Sequence, residues 1–139
     1  MQRGIAVLCA SAVLLGGVEA AAAHETSTPA AIVITGASGS DPRELTVTAR
    51  LDTSPACRAR RKIEIHARYG EWTHRHVWAP GPWERIGTAR AGADGAVAAR
   101  LLRPTLWSMK FKVRRKNLGP RGHKHVCGGD AGGIGFQVG

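Results

Sequence analysis

Two His-x-His pairs, His74-Arg75-His76 and His123-Lys124-His125, are the residues in this sequence whose types and spacing most directly suggest chemistry. In an extended segment Trp72, His74, His76 and Trp78 would point to one side, because side chains alternate along a strand. Two imidazoles at that spacing can converge on one ion. Four of them, with His66 as a fifth, suit Cu(II) or Zn(II) if both segments meet. His24 adds a candidate near the N-terminus: cleavage after Ala21 would leave Ala22-Ala23-His24, an amine and third-position imidazole suited to square-planar Cu(II) or Ni(II). Cleavage after Ala23 would make His24 the first residue. The metal reading therefore rests on His24, His74, His76, His123 and His125. Its alternative is a pair of solvated loops with unrelated histidines and no cofactor.

Charge offers a second chemistry. The chain carries 20 Lys+Arg against 10 Asp+Glu, a formal +10. Arg58, Arg60, Arg61 and Lys62 form one group; Lys110, Lys112 and Arg114 share the outward side of one strand, and Arg115 and Lys116 continue it. Such clusters bind phosphates and other anions by releasing counterions, with strong salt dependence. The alternatives are an ordinary solvated strand face and a compositional bias, since 15 Arg against 5 Lys is what GC-rich coding produces. The third chemistry is aromatic. Trp72, Trp78 and Trp83 surround Ala79-Pro80-Gly81-Pro82, in and beside an insert from Gly70 to Pro82. Exposed indoles there would stack on sugar rings or pack on a partner, and at least one is expected to be buried at the end of the core. Catalysis finds little support: acids are few and scattered, and there is neither a G-x-S-x-G nor a phosphate loop.

The elements that must position these groups begin after a leader. Met1-Gln2-Arg3 is a short basic start, Ile5 to Leu15 is apolar, and Val18 to Ala23 is rich in small residues, so residues 1–23 read as a secretory signal peptide too short to span a bilayer comfortably. The mature protein is then expected to be secreted, periplasmic or extracellular, and not membrane-spanning. Cys9 leaves with the leader. Cys57 and Cys127 remain, an even pair in an oxidising compartment, which points to a disulfide; two free thiols are the alternative.

The remainder reads as all-β. Residues 24–42 are expected to be a flexible segment with an edge strand at Ile32–Thr35, and residues 43–139 a single domain. Leu45, Val47, Ala49 and Leu51 alternate with polar residues, as do Ile63, Ile65, Ala67 and Tyr69, and then Trp107, Met109, Phe111 and Val113. Ile134, Phe136 and Val138 mark a last strand. Between Trp83 and Leu102, Asp94-Gly95 separates two short runs and predicts a β-hairpin, because Gly supplies the positive φ such turns need. No window after the leader sustains a helical period. About seven short strands in some 116 mature residues suggest a small two-sheet antiparallel β-sandwich.

Cys57, Lys62 to Ile65, the run from Ile86 to Val97, the alternation from Trp107 to Val113 and the late Cys127 together resemble secreted bacterial β-sandwiches of the transthyretin-like or carboxypeptidase-regulatory type, an Ig-like architecture. The resemblance covers residues 43 to 127. Gly92 stands where such domains commonly carry Asp, and Val97 where they carry an aromatic residue. The resemblance implies a structural or adhesive module. The sequence thus leads to the expectation of a secreted, monomeric, non-catalytic binding or structural module at the cell envelope, with a basic surface for anionic polymers or polysaccharide. A Cu/Zn-binding sandwich using the clustered histidines is the other reading.

Overall fold

The alternating stretches are strands. The computed structural model describes residues 26–119 and 124–136. In chain order these hold β1 (Thr26–Thr28), β2 (Ala31–Ser38), β3 (Glu44–Asp52), a one-turn helix α1 (Pro55–Arg58), β4 (Lys62–Trp72), β5 (Trp78–Pro80), β6 (Glu84–Arg90), β7 (Ala96–Leu102), β8 (Leu106–Val113), β9 (Lys116–Asn117), β10 (His125–Cys127) and β11 (Asp130–Gly135). Residues 1–25, which hold the leader-like pattern, Cys9 and His24, lie outside the described residues, as do His123 and Val138. No described helix is long and apolar enough to cross a membrane.

Seven strands build two antiparallel sheets. One has the order β2-β3-β7; in the other, β4 lies between β6 and β8, β8 pairs on its far side with β11, and the short β5 adds a hairpin arm to the far end of β4 beyond these four strands. Leu45, Val47, Ala49 and Leu51 of β3 and Val97, Ala99 and Leu101 of β7 meet Ile63, Ile65 and Ala67 of β4 and Met109, Phe111 and Val113 of β8 in a single buried cluster. β3 and β7 bury every second residue, and β8 does so from Met109 onward, which is the period of a sheet with one face inward; β4 keeps the same apolar phase but also buries Glu64 between Ile63 and Ile65. The fold is an all-β sandwich, as the strand pattern predicts. A third, small sheet of order β1-β10-β9 closes one end.

Four local expectations change. Residues 26–38 are not a flexible lead-in: β2 pairs with β3 along its length, and Ile32 lies in the core. β2, which contains Ile32–Thr35, is the outer strand of its sheet. In β8, Leu106 rather than Trp107 takes the buried phase, because the register with β4 shifts between Arg68 and Tyr69. The last described strand starts earlier than expected and covers Asp130–Gly135, so it includes Ile134, while Phe136 lies just beyond its end.

The fourth change concerns Asp94-Gly95. The turn forms: Gly95 has φ 85°, its N–H bonds Gly92 O at 2.9 Å, and Asp94 Oδ1 accepts the Ala96 N–H at 3.0 Å. However, the flanking strands do not pair with each other. β6 pairs with β4 and β7 with β3, so the turn carries the chain from one sheet to the other. The residues beside it are already taken: Ala91 N donates to Arg61 O at 2.9 Å, and Leu51 N donates to Gly95 O at 2.8 Å. Turn chemistry sets a reversal; packing decides which neighbour each strand joins.

Cys57 and Cys127 form the expected disulfide across 70 residues of chain. It joins α1 to β10, so it ties the small end sheet to the crossover between the two large ones. Closing a loop that long stabilises by about 4 kcal/mol in the chain-entropy account. Replacing both cysteines by alanine should therefore lower the unfolding free energy by about that amount in urea titration, with a steeper slope because the unlinked denatured chain exposes more surface.

Candidate functional site

Residues paired across an antiparallel sheet point to the same side. Glu64 of β4 lies opposite Lys112 of β8 and Thr88 of β6, and His66 lies opposite Lys110 and Arg85. Arg68 faces Ser108, and Lys62 faces Arg90. Since Ile63, Ile65 and Ala67 are buried in the core, this intervening row is the outward face of the four-stranded sheet. Beyond β8, Ala131, Gly133 and Gly135 of β11 extend it as a floor almost without side chains. The face is thus a field of cations around one carboxylate.

Glu64 is 5% exposed, walled in by longer neighbours. The Arg114 Nε–H donates to its Oε1 at 2.9 Å, His66 Nε2 lies 3.1 Å from its Oε2, and Arg85 approaches Oε1 at 3.6 Å. The hydrogen bond from His66, then that from Arg114, hold its pKa down from 4.5 to about 2, against the opposing effect of burial. Glu64 is consequently a poor proton acceptor at neutral pH and acts as a fixed negative charge that holds the surrounding cations in place. Arg61, Lys62, Glu64, Arg85, Arg114, Arg115 and Lys116 line a pocket of about 430 Å³ at this end of the face.

Arg61 is the exception among the expected anion ligands. It is 4% exposed, and burial pushes its pKa down. Its Nη1 donates to Cys57 O at 3.0 Å, and Nη2 donates to Arg114 O at 2.6 Å, Gly128 O at 3.0 Å and, more weakly, Cys127 O at 3.3 Å. A planar guanidinium with five N–H groups suits four carbonyls converging from three chain segments. Arg58 is also engaged, donating from Nε to Ala93 O at 2.8 Å, whereas Arg60 is exposed at a positive φ of 51°. The first basic group therefore divides: Arg58 and Arg61 hold the fold, and Lys62 opens onto the face. Lys110, Lys112 and Arg114 lie on the outward side as expected. Sequence reasoning missed Glu64, Arg68 and Arg85; the first two alternate with Ile63, Ile65 and Ala67, so the strand period alone could have placed them.

Among the described residues the histidines are not assembled. Residues 73–77 are a tight turn rather than an extended segment, with Thr73 N–H bonded to Val77 O at 2.9 Å and His76 at φ 54°. That turn is the actual hairpin of the segment, joining β4 to β5. His125 lies at the opposite end of the molecule, beside the disulfide, and the eleven residues of β4 span roughly 35 Å between the two ends. Among the described residues, the one group of three or more ligand atoms within 4.8 Å of one another is Cys57, His125 and Cys127. Its two sulfurs are bonded to each other, while Thr26 Oγ1 lies 2.7 Å from His125 Nδ1. His74 and His76 are thus not brought together with His125, and His66 bonds Glu64.

The tryptophans separate in the same way. Trp72 and Trp78 are a cross-strand pair with ring centroids 5.3 Å apart in an edge-on arrangement, and Trp72 is 68% exposed. Trp78 is half-buried against Gly70, where a Cβ would run into its ring, and its Nε1 is buried with no hydrogen-bond partner among the described residues. None of the three is fully buried, contrary to expectation. Trp83 reaches the cationic face: Lys110 Nζ lies 4.2 Å from its ring centroid and the Arg68 guanidinium 5.3 Å.

No family model matches this chain, and neither does any curated protein or solved structure.

Two expectations follow from these contacts. Arg61→Ala strands four carbonyls in a dry site and should cost about 3 kcal/mol of stability in urea titration, with Arg61→Lys recovering less than half because a single ammonium cannot span them. The second concerns pH. The Glu64 carboxyl binds its proton more weakly folded than unfolded, so its stabilisation is complete above about pH 4.5 and is lost as pH falls toward 2. Thermal melts should show that decline in the wild type and a flatter profile in Glu64→Gln.

Proposed function

We propose that the protein is a secreted, monomeric, non-catalytic binding or structural module of the cell envelope that holds anionic polymers on the outward face of its four-stranded sheet. The observation that carries this reading is the composition of that face. Lys62, Arg68, Arg85, Lys110, Lys112 and Arg114 project from three adjacent strands, and the single acid among them, Glu64, is already bonded to its neighbours. Additional negative charge on a ligand therefore meets cations rather than a competing carboxylate. Spacing supports an extended polymer: successive outward residues along β8 are about 6.7 Å apart, so Lys110, Lys112 and Arg114 form a line.

Secretion is supported by the leader-like pattern of residues 1–23 and by the Cys57–Cys127 bridge, since disulfides persist mainly in oxidising compartments. The transthyretin-like or carboxypeptidase-regulatory identity belongs to the same proposal, supported by seven strands in two sheets and the position of the late cysteine. A non-catalytic role accords with a Glu64 carboxylate too weakly basic to take protons at neutral pH.

Binding to inorganic polyphosphate should weaken linearly in log K against log salt, by counterion release. Lys110→Glu/Lys112→Glu should reduce affinity by at least tenfold at low salt and shallow the slope. Arg50→Glu, an exposed residue on the outside of the other sheet, should leave the slope nearly unchanged. Binding without salt dependence, or equal effects of the two variants, would contradict the reading.

A further inference from the structure

The cationic face ends in a second hollow of different character. Trp83, Ser108, Lys110, Ile134 and the β11 glycines Gly133 and Gly135 line about 280 Å³ beside the ring of Trp83. The floor is bare strand: Gly133 lies opposite Lys110 and Gly135 opposite Ser108, on the outward side. Gly133 is held to that state by packing, since a Cβ there would meet Met109 O and the Lys110 side chain. One wall is aromatic and one corner is cationic, and Ser108 also lines the hollow.

We propose that this hollow is a sugar subsite, and that the polymer taken by the face is an acidic polysaccharide whose ring packs against Trp83 while its carboxylate pairs with Lys110. The proposal rests on the polyanion reading and specifies its ligand. Trp83 is 38% exposed although it has two cations over its ring, so it is held at the surface and is not part of the core. Lys110 resting on an exposed ring is a weak contact. An incoming carboxylate offers the ammonium a stronger partner, and the ring face that Lys110 leaves becomes available to the C–H face of the sugar. The bare glycine floor lets a bulky, non-planar ring sit close to the sheet. From there Lys112 and Arg114 continue the line of charge along β8 for further acidic units.

The arrangement favours a glycan over a single-stranded nucleic acid. Nucleic-acid channels stack successive bases on successive aromatic side chains. Here Trp83 is the one aromatic residue lining either this hollow or the larger basic pocket, among the described residues.

The test compares three polyanions of different backbone chemistry, polygalacturonate, inorganic polyphosphate and oligothymidylate, each titrated calorimetrically at low salt into wild type, Trp83→Ala and Trp83→Phe. Thermal melts verify that the variants remain folded. Trp83→Ala should weaken polygalacturonate binding about tenfold, the scale of one lost ring contact, and change polyphosphate binding less than twofold. Trp83→Phe, which keeps a ring, should recover most of the loss. Equal effects on polygalacturonate and polyphosphate, or no effect on either, would overturn the sugar subsite while leaving the polyanion reading intact. Greater Trp83 dependence with oligothymidylate would overturn it in favour of a nucleic acid. If the wild type binds none of the three, the polyanion reading fails and this inference with it.

Discussion

The guanidinium of Arg61 is the contact on which this architecture most depends. It lies at the start of β4 and gathers the carbonyls of Cys57, Arg114, Cys127 and Gly128, so α1, the end of β8 and the strand after the long loop all converge on one side chain. The disulfide beside it covalently joins two of those same residues. Among the described residues no carboxylate lies within ion-pair distance of Arg61, so the buried charge is compensated by dipoles alone. That is a costly arrangement to leave half-made, because each carbonyl abandoned in a dry site forfeits its solvation. The benefit is geometric: β4, the central strand of the large sheet, is fixed at the end where its outward residues begin.

From that anchor the outward face follows almost mechanically. Once β4 is placed, its alternation sends Ile63, Ile65 and Ala67 inward and Glu64, His66 and Arg68 outward. Antiparallel pairing then brings Lys110 and Lys112 from one side and Arg85 from the other. Glu64 is the necessary complement, since a buried carboxylate among cations reduces their mutual repulsion and fixes their positions. The same residues therefore serve folding and the proposed binding. This explains how so basic a face can exist on a domain small enough to need a covalent tie.

Much of this was legible in the sequence, and what was not has identifiable causes. Period-two alternation revealed β3, β4 and β8, and the all-β class with them, because burial on one face leaves a local trace. The cysteine pair was legible from parity and the leader-like start. Partner choice was not. Asp94-Gly95 announces a reversal, but whether β6 and β7 pair with each other depends on core packing that no local pattern encodes. The His74–His76 segment failed for a related reason: its i, i+2 spacing converges only if extended, and Thr73 instead closes a turn with Val77. Arg61 looked like one more surface cation, and nothing in its immediate neighbours distinguishes it from Arg60. Only the convergence of three distant segments buries it.

The central claim is about location: anionic polymer on the outward face of the four-stranded sheet. The most direct measurement is backbone amide chemical-shift mapping by NMR during titration with polygalacturonate at low salt. The account predicts shifts concentrated at Lys62, Glu64, His66, Arg85, Lys110, Lys112, Arg114 and Gly133, with Thr46, Thr48, Arg50, Ala96 and Ala98 on the opposite sheet nearly unmoved. Shifts centred on that opposite sheet, or spread evenly over all exposed cations, would contradict it.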